Sequence, residues 1–257
     1  MRRLFLILSL ALASIPAFAN PIDDECPHLT YGRAPVTPAA DQYVCHQQYA
    51  VAYSYNTRNP VYTTEFLDKS HTGKLPRTND FKVDPAIPKE RQATPADYVK
   101  SVCDLSGGKD RCDKGHMTPD QDFSACAQCV HESFYMSNMV PQNFKNNEVI
   151  WKNMEALIRK HAATRPKGIY VISGPAYRNP AQPSATIGKN NVWVPDALFK
   201  IVIDAETGEA STFFMPNAPE ANLQQFVMML SVVEGVTGIA FDPKLDRDRI
   251  GSVSAWK

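Results

Sequence analysis

The chain of 257 residues carries 27 Lys and Arg residues against 27 Asp and Glu residues, and 44% of it is hydrophobic. This length suits one large domain or two small ones. The balanced charge excludes attraction of nucleic acid by a basic field over the whole protein, so local cations or a metal ion would have to hold such a partner.

The N-terminal residues have the pattern of a secretory signal peptide. Arg2 and Arg3 precede an apolar run over residues 4–13, and Ala17-Phe18-Ala19 has the small residues of a cleavage site. The run is shorter than the ~20 apolar residues of a membrane-spanning helix. We therefore predict a signal peptide over residues 1–19, a periplasmic or secreted protein, and no membrane association after cleavage.

The next part of the chain predicts an irregular arm followed by paired strands. Residues 20–47 are rich in Pro, Asp and small residues and form the predicted N-terminal arm, and residues 48–257 form a single predicted domain. Alternation predicts strands over residues 48–56 and 61–67. Residues 69–98 have no sustained period and predict a long ordered loop, a kind of segment that often carries binding residues.

Residues 147–161 predict a helix that carries polar groups toward the core. Apolar residues recur at helical spacing, with Lys152, Arg159 and Lys160 on the far side. Asn147 projects into the apolar stripe and Glu155 continues its edge. A buried polar group without a hydrogen-bond partner lowers stability by roughly 1–3 kcal/mol. These two side chains therefore need polar partners, which a hydrated metal ion would supply. The alternative is that Asn147 caps the helix.

The C-terminal part predicts further strands and a second helix. Residues 168–174 form a short buried strand, and residues 198–203 and 211–215 form a hairpin. Residues 222–234 have helical spacing. Because strands and helices mix without the regularity of βαβ units, we predict an α+β domain with a central antiparallel sheet and helices.

Six cysteines allow three interpretations. An even number in an exported chain favours disulfides, and the sequence leaves their pairing open. A Cys₃His zinc site is possible because four residues that bind zinc are present, with a two-residue gap between the last two: Cys112, His116, Cys126 and Cys129. Cys126 and Cys129 could alternatively be a redox pair.

A catalytic base is indicated by the residues around His116. Asp113 precedes it, a Tyr-Met-Ser-Asn strand follows, and Asn147 and Glu155 come after that strand. Two short strands and a helix that together carry a His and an Asn form the ββα-metal arrangement.

With these residues the sequence resembles the DNA/RNA non-specific endonuclease family, which includes secreted sugar-non-specific nucleases and endonuclease G. The family motif Asp-Arg-Gly-His is matched by Asp-Lys-Gly-His at residues 113–116, and Ser-Asn-x-x-Pro-Gln by residues 137–142. An Asn that precedes Trp by four residues and Glu by eight is matched by residues 147, 151 and 155. Arg-x-x-x-Phe is matched by residues 77–81. The resemblance covers roughly residues 49–174, and the combined spacing is specific.

The resemblance implies a metal-dependent endonuclease that hydrolyses DNA and RNA with little sequence preference and leaves 5′-phosphate ends. His116 would be the general base, since a near-neutral pKa suits that task. Arg77 would clamp charge in the transition state. Asn138 would orient His116 or the phosphate.

The resemblance also implies a cofactor and substrate contacts. Asn147 would bind Mg²⁺ directly, with Mn²⁺ as a substitute, and Glu155 and Asp113 would hold the ion through water. Lys114 and Gln142 would bind the substrate. Lys114 replaces the family's Arg and lacks its planar fork, so it would act as a point charge.

A different class stays open from the residues alone. The chain could be a non-catalytic nucleic-acid-binding module, or a zinc or thiol protein that uses the Cys/His cluster. The sequence does not specify the oligomeric state.

Overall fold

The fold is taken from a computed structural model that describes residues 25–103, 105, 109–220 and 222–251. The predicted signal peptide at residues 1–19 lies outside the described residues. Within the described part of the chain, every helix is too short or too polar to cross a bilayer.

A seven-stranded sheet forms the centre of the fold. Its strands are Gln42–Cys45 (β1), Tyr49–Ser54 (β2), Asn59–Leu67 (β3), Ile169–Ala176 (β6), Ala197–Asp204 (β9), Ala210–Pro216 (β10) and Val227–Met228 (β11). Their order is β1-β2-β3-β6-β9-β10-β11, and all neighbours are antiparallel. This confirms the predicted central antiparallel sheet, including the strands expected at residues 48–56, 61–67 and 168–174 and the hairpin of β9 and β10.

In the described residues, two small antiparallel sheets and three α-helices accompany the large sheet. The remaining strands are Cys112–His116 (β4), which pairs with Met139–Asn143 (β5), and Thr186–Ile187 (β7), which pairs with Val192–Trp193 (β8). The α-helices are Ala127–Ser133 (α1), Lys152–Ala163 (α2) and Leu230–Thr237 (α3). Short 3₁₀ turns span Thr30–Gly32, Lys89–Arg91, Pro95–Tyr98, Asp120–Phe123, Met136–Asn138 and Leu223–Phe226.

Both faces of the large sheet are covered by helices. On one face, Met154 and Ile158 of α2 share a buried cluster with Val171 and Val202 of the sheet. On the other face, Leu230 of α3 belongs to a second buried cluster, whose sheet residues alternate along the strands with those of the first cluster. The sequence Val-Ile along β6 is therefore buried on both sides, as expected for an inner strand.

The predicted ββα arrangement is confirmed, with one difference in the helix. β4 and β5 pair so that His116 lies opposite Met139. The helix predicted at residues 147–161 is α2 preceded by a π-helical segment, Asn146–Trp151. Such segments widen the helix and are frequent at functional sites.

The second helix predicted at residues 222–234 is wrong over its first half. Leu223 and Phe226 pack against the cluster on the α2 face, whereas Leu230 packs on the α3 face. Between them, Val227–Met228 pairs with the edge of β10. The apolar residues recur at helical spacing because the chain crosses the edge of the sheet here and packs first against one face and then against the other. The helix α3 begins only at Leu230.

All six cysteines form disulfides. The pairs are Cys26–Cys45, Cys103–Cys112 and Cys126–Cys129. The predicted disulfides are thus present, and the zinc alternative is wrong because Cys112, Cys126 and Cys129 have no free thiolate. The division of the chain at residue 47 stays a prediction; the end of the predicted arm, Gln42–Cys45, forms the edge strand β1.

Candidate active site

A polar cleft of about 530 Å³ lies beside β4 and α2. Six residues that the sequence singled out line it: Arg77, Asp113, Lys114, His116, Asn147 and Glu155. These residues come from the long loop, from β4 and from the helix, so the fold gathers them from three separate segments. Asn138 and Gln142, which were also predicted, do not line the cleft.

His116 is the last residue of β4, and its side chain lines the cleft. The residue is 7% exposed, and its Nε2 has no hydrogen-bond partner among the described residues. Burial lowers the pKa of His116 well below its usual value, and the positive charges of Arg77 and Lys114 lower it further. The imidazole is therefore neutral at neutral pH, with a nitrogen available to accept a proton.

The backbone around His116 is fixed from two sides. Trp151 donates from Nε1 to the carbonyl oxygen of His116 over 3.2 Å. The ring of His116 meets the ring of Phe134 edge-on, with 5.0 Å between centroids. These contacts leave the imidazole little freedom to turn.

Asn138 is hydrogen-bonded to the chain just after His116 and does not line the cleft. Its Oδ1 accepts from the backbone N–H of Thr118 over 2.9 Å, and its Nδ2 donates to the carbonyl oxygens of Thr118 and Ser133 over 2.7 and 2.8 Å. The residue is fully buried. Both amide hydrogens hold the chain just after His116, which leaves none for a phosphate; a role of Asn138 in orienting His116 stays a prediction.

Gln142 is likewise buried, which corrects its prediction as a substrate contact. Its Nε2 donates to Asn146 Oδ1 over 2.7 Å. Its side chain lies so close to Gly115 that a Cβ atom at residue 115 would overlap it. Gln142 thus packs on the inner side of β4, and the Gly of the motif gives it room.

Asn147 is joined to β4 through Asp113. Its Nδ2 donates to Asp113 Oδ2 over 3.0 Å, and Arg111 Nε donates to Asp113 Oδ1 over 3.1 Å. Asn147 lies inside the π-helical segment, which begins at Asn146, so it is not the helix cap. Because Nδ2 is engaged, the amide oxygen Oδ1 is the end that can bind a cation.

Glu155 lies two turns further along the helix and is half-buried at the cleft wall. Burial raises the pKa of Glu155 to about 7; Lys200 and Arg159 oppose this shift, and Asp122 and Asp120 add to it. A cation in the cleft would favour the ionised carboxylate.

Arg77 and Lys114 place two positive charges beside His116. Arg77 donates to Asp120 and to Asn79, and its guanidinium lies 4.9 Å from the centroid of the Phe134 ring. Lys114 Nζ lies 4.7 Å from the centroid of the Phe81 ring. Burial lowers the pKa of Lys114, and Asp113 opposes this shift. These contacts hold both cations at the cleft before any ligand binds.

Several cleft residues were missed or misplaced by sequence reasoning, among them Asp120, Lys152 and Arg159. Asp120, which holds Arg77, carried no signal in the sequence. Lys152 and Arg159 were assigned to the far side of the helix, but both line the cleft with Glu155. Their spacing of three and four residues from Glu155 puts all three on one flank, a signal that could have found them.

Residues 32–248 match the family model for DNA/RNA non-specific endonucleases. Mitochondrial nuclease EXOG of Xenopus laevis is 32% identical over 244 residues, which cover 88% of this chain and 64% of that protein. Mitochondrial endonuclease G of Homo sapiens is 29% identical over 234 residues, which cover 85% of this chain and 75% of that protein.

A solved structure has the same fold. The crystal structure of the EndoG/EndoGI complex superposes with a TM-score of 0.73 at 25% identity and covers 86% of this chain and 91% of that chain. This likeness extends over nearly the whole described chain and includes the ββα arrangement.

The predicted periplasmic or secreted location is contradicted by these relatives. EXOG of Xenopus laevis, endonuclease G of Homo sapiens and nuclease 1 of Schizosaccharomyces pombe are all named mitochondrial.

The matched range of residues, the identity to these nucleases and the shared fold agree with one another. Seven of the residues that carried the resemblance line one cleft: Arg77, Phe81, Asp113, Lys114, His116, Asn147 and Glu155. The chain belongs to the DNA/RNA non-specific endonuclease family.

Proposed function

We propose that the protein is a metal-dependent endonuclease that hydrolyses phosphodiester bonds of both DNA and RNA and leaves 5′-phosphate ends. One observation carries the proposal: a neutral imidazole with an unpartnered Nε2 shares a cleft with the Asn147–Asp113 pair and with Arg77. A base, a cation-binding amide and a fixed guanidinium are the groups that phosphodiester hydrolysis requires.

His116 acts as the general base. Its Nε2 takes a proton from a water molecule, and the oxygen of that water attacks phosphorus. The bond between phosphorus and the 3′ oxygen breaks, so the phosphate stays on the 5′ end of the other fragment. The low pKa of His116 keeps the imidazole unprotonated at neutral pH, as this step requires.

The donor set of the cleft fits a hard divalent cation. Asn147 would hold it through Oδ1, and Asp113 and Glu155 through water; one amide oxygen with water-mediated carboxylates suits Mg²⁺, which keeps several waters, and Mn²⁺ is an alternative. When bound, the cation would stabilise negative charge on the phosphate and on the departing oxygen.

The cations of the cleft favour binding of the phosphate backbone. Arg77, held by Asp120, is placed to stabilise charge that develops on the phosphate. Lys114 contributes a point charge. Groups directed at phosphate carry no sequence information, which supports cleavage with little sequence preference in both DNA and RNA.

The names of the relatives support a mitochondrial location for this chain. Cell fractionation with an antibody against the folded protein would test it, and recovery outside mitochondria would contradict it.

The enzymatic proposal is tested by digestion of plasmid DNA and purified RNA with Mg²⁺, Mn²⁺ or EDTA. We expect cleavage with a divalent cation, loss of cleavage with EDTA, and a decrease of about 10²- to 10⁴-fold in His116→Ala. Asn147→Ala should lose cleavage at low cation concentration. Asn153→Ala is the matched control, since Asn153 is exposed on the same helix and does not line the cleft.

The outcome against the proposal is equally clear. Cleavage unaffected by His116→Ala and Asn147→Ala would reject the assigned residues. Binding of nucleic acid without cleavage in any divalent metal would favour a non-catalytic module. The 5′-phosphate ends are checked by transfer of a labelled phosphate to the 5′ ends of the products. This labelling should succeed only after phosphatase has removed the phosphate already present.

A further inference from the structure

A fully buried lysine lies beneath the end of the strand that carries His116. Lys200 is on β9, where Leu198 and Val202 on the same face belong to the apolar layer between the sheet and α2. Lys200 is 1% exposed. Desolvation of an ammonium group is expensive, and well-packed apolar residues at such a place are often as stable or more stable. A buried ammonium group at this position therefore indicates a specific role for Lys200.

The ammonium group binds the peptide that directly follows His116. Lys200 Nζ donates to the carbonyl oxygen of Met117 over 3.1 Å and to Ser173 Oγ over 2.6 Å. Ser173 is the register partner of Lys200 on β6, so the lysine is braced by the neighbouring strand. The rigid centre of the sheet is thus connected directly to the chain next to the general base.

This connection is part of a polar row across three neighbouring strands. Thr63 on β3 is the register partner of Ser173, which pairs in turn with Lys200. Thr63 Oγ1 accepts from Thr118 Oγ1 over 2.8 Å. The row Thr63, Ser173 and Lys200 therefore supports two consecutive residues, Met117 and Thr118, on an otherwise apolar face.

A second contact links Lys200 to the carbonyl oxygen of His116. Lys200 Nζ lies 4.7 Å from the centroid of the Trp151 ring, and Trp151 Nε1 donates to the His116 carbonyl oxygen over 3.2 Å. The two successive carbonyl oxygens of His116 and Met117 are thus held by two side chains that contact each other. Loss of the ammonium group would release one carbonyl and loosen the ring that holds the other.

Buried carboxyl groups interact with the charge of Lys200, and burial raises the pKa of one of them, Glu65, well above its usual value. Burial lowers the pKa of Lys200, and the charges of Glu155, Glu65 and Asp122 oppose this shift. Glu65 is 1% exposed, and its Oε2 has no hydrogen-bond partner among the described residues. The ammonium group therefore has a counter-charge role as well, and an experiment must separate the two roles.

We propose that Lys200 is a positioning residue for the hydrolysis reaction, and that its bond to the Met117 carbonyl oxygen keeps the imidazole of His116 in place. The inference rests on the proposed function. Lys200 does not line the cleft, so it acts through His116 and does not contact the substrate.

Three variants separate positioning from charge balance. Lys200→Met keeps the length of the side chain without its charge, Glu65→Gln/Lys200→Met removes both buried charges, and Lys167→Met is an exposed lysine control. In Lys200→Met, kcat is expected to fall about 10- to 100-fold with KM nearly unchanged, because misplacement of a reacting group slows the chemical step. The double variant should regain thermal stability but not kcat.

Recovery of kcat together with stability in the double variant would overturn the proposal, since Lys200 would then serve only to neutralise Glu65. If Lys200→Met does not fold, the double variant compared with Glu65→Gln gives the same decision: equal kcat values overturn the proposal, and a lower kcat supports it.

A measurement independent of activity distinguishes this inference from the proposed function. The ring signals of His116 in ¹H–¹⁵N correlation spectra, identified by their absence in His116→Gln, should shift in both Lys200 variants and stay unchanged in Lys167→Met. Unchanged ring signals would overturn the positioning role. If the wild-type protein cleaves nothing with any divalent metal, the proposed function fails, and the ring signals still decide whether Lys200 holds His116.

Discussion

Asn147 donates a hydrogen bond from Nδ2 to Asp113 Oδ2 over 3.0 Å, and this bond joins the π-helical segment to β4. The motif residue Asp113 therefore orients the amide whose oxygen is proposed to bind the cation. An acceptor that fixes a ligand side chain in this way affects metal affinity without touching the metal.

Asp113→Ala is expected to raise the Mg²⁺ concentration needed for half-maximal cleavage by about 10- to 100-fold. The reason is that the amide of Asn147 loses its fixed orientation, while His116 keeps its environment. The measurement is a Mg²⁺ titration of plasmid cleavage, with Mn²⁺ binding followed by calorimetry. Asp246→Ala, an exposed position, is the control. An unchanged Mg²⁺ dependence in Asp113→Ala would show that the bond has no role in metal binding.

Arg77→Ala should both slow the reaction and move its pH dependence. Loss of a guanidinium that stabilises transition-state charge typically costs about 10²- to 10³-fold in kcat. Because the charge of Arg77 lowers the pKa of His116, its removal raises that pKa. His116 then stays protonated up to a higher pH. The acid limb in a plot of kcat/KM against pH is therefore displaced to higher pH.

The control for Arg77→Ala is Arg178→Ala, an exposed position outside the cleft. Full pH profiles at saturating Mg²⁺ are required for both variants. A large loss of kcat without any displacement of the acid limb would mean that Arg77 acts on the phosphate alone and does not influence His116.

The local patterns of the sequence predicted the strands and most of the helix that form the site. Alternation located β2 and β3, a short buried run of residues located β6, and helical spacing put Asn147 and Glu155 on one helix. These patterns depend on contacts between near neighbours in sequence, which a single chain displays directly. The resemblance of residues 113–116, and of their spacing to Asn147, to the endonuclease family brought the cleft residues together, and that resemblance alone singled out Arg77.

Contacts between distant segments could not be predicted. Asn138 and Gln142 belong to a conspicuous motif, yet their amides are used inside the protein, because the turn Met136–Asn138 and the strand β5 that follows it are buried throughout. Lys200 binds Met117 across 83 residues of sequence. The residues next to Lys200 in sequence do not show that its side chain faces the layer between the sheet and α2 and not solvent. Disulfide pairing was undetermined for the same reason.

Gly115→Ala is expected to destabilise the protein by about 1–3 kcal/mol through overpacking. The new methyl group would overlap the side chain of Gln142, which is fully buried and cannot move toward solvent. Urea denaturation measures the change. In the double variant Gly115→Ala/Gln142→Ala the overlap is removed, so the combined loss should be smaller than the sum of the single losses. Strict additivity would show that the two residues do not press on each other.

The long loop that carries Arg77 is anchored by a buried carboxylate. Asp84 is 1% exposed; His46 Nε2 lies 2.9 Å from its Oδ2, and the hydroxyl of Ser137 donates to the same oxygen. Burial alone would raise the pKa of Asp84, but the hydrogen bonds from His46 and Ser137 and the charge of His46 lower it overall. A carboxylate whose pKa is lowered by folding stabilises the protein above its unfolded pKa, and this stabilisation is lost as the pH falls through the folded value.

Asp84→Asn should therefore lower the free energy of unfolding by about 1–3 kcal/mol at pH 7, the range for hydrogen bonds to charged groups. The difference from wild type should shrink as the pH falls below the usual Asp value of 3.8, because the unfolded chain then takes up a proton at this residue that the folded carboxylate, whose pKa is lower, does not yet bind. Urea denaturation at pH 7 and pH 3 measures both quantities, with Asp248→Asn as an exposed control. If wild type and Asp84→Asn have the same free energy of unfolding at pH 7, or if their difference grows toward pH 3, the loop is not anchored by the ionised form of Asp84.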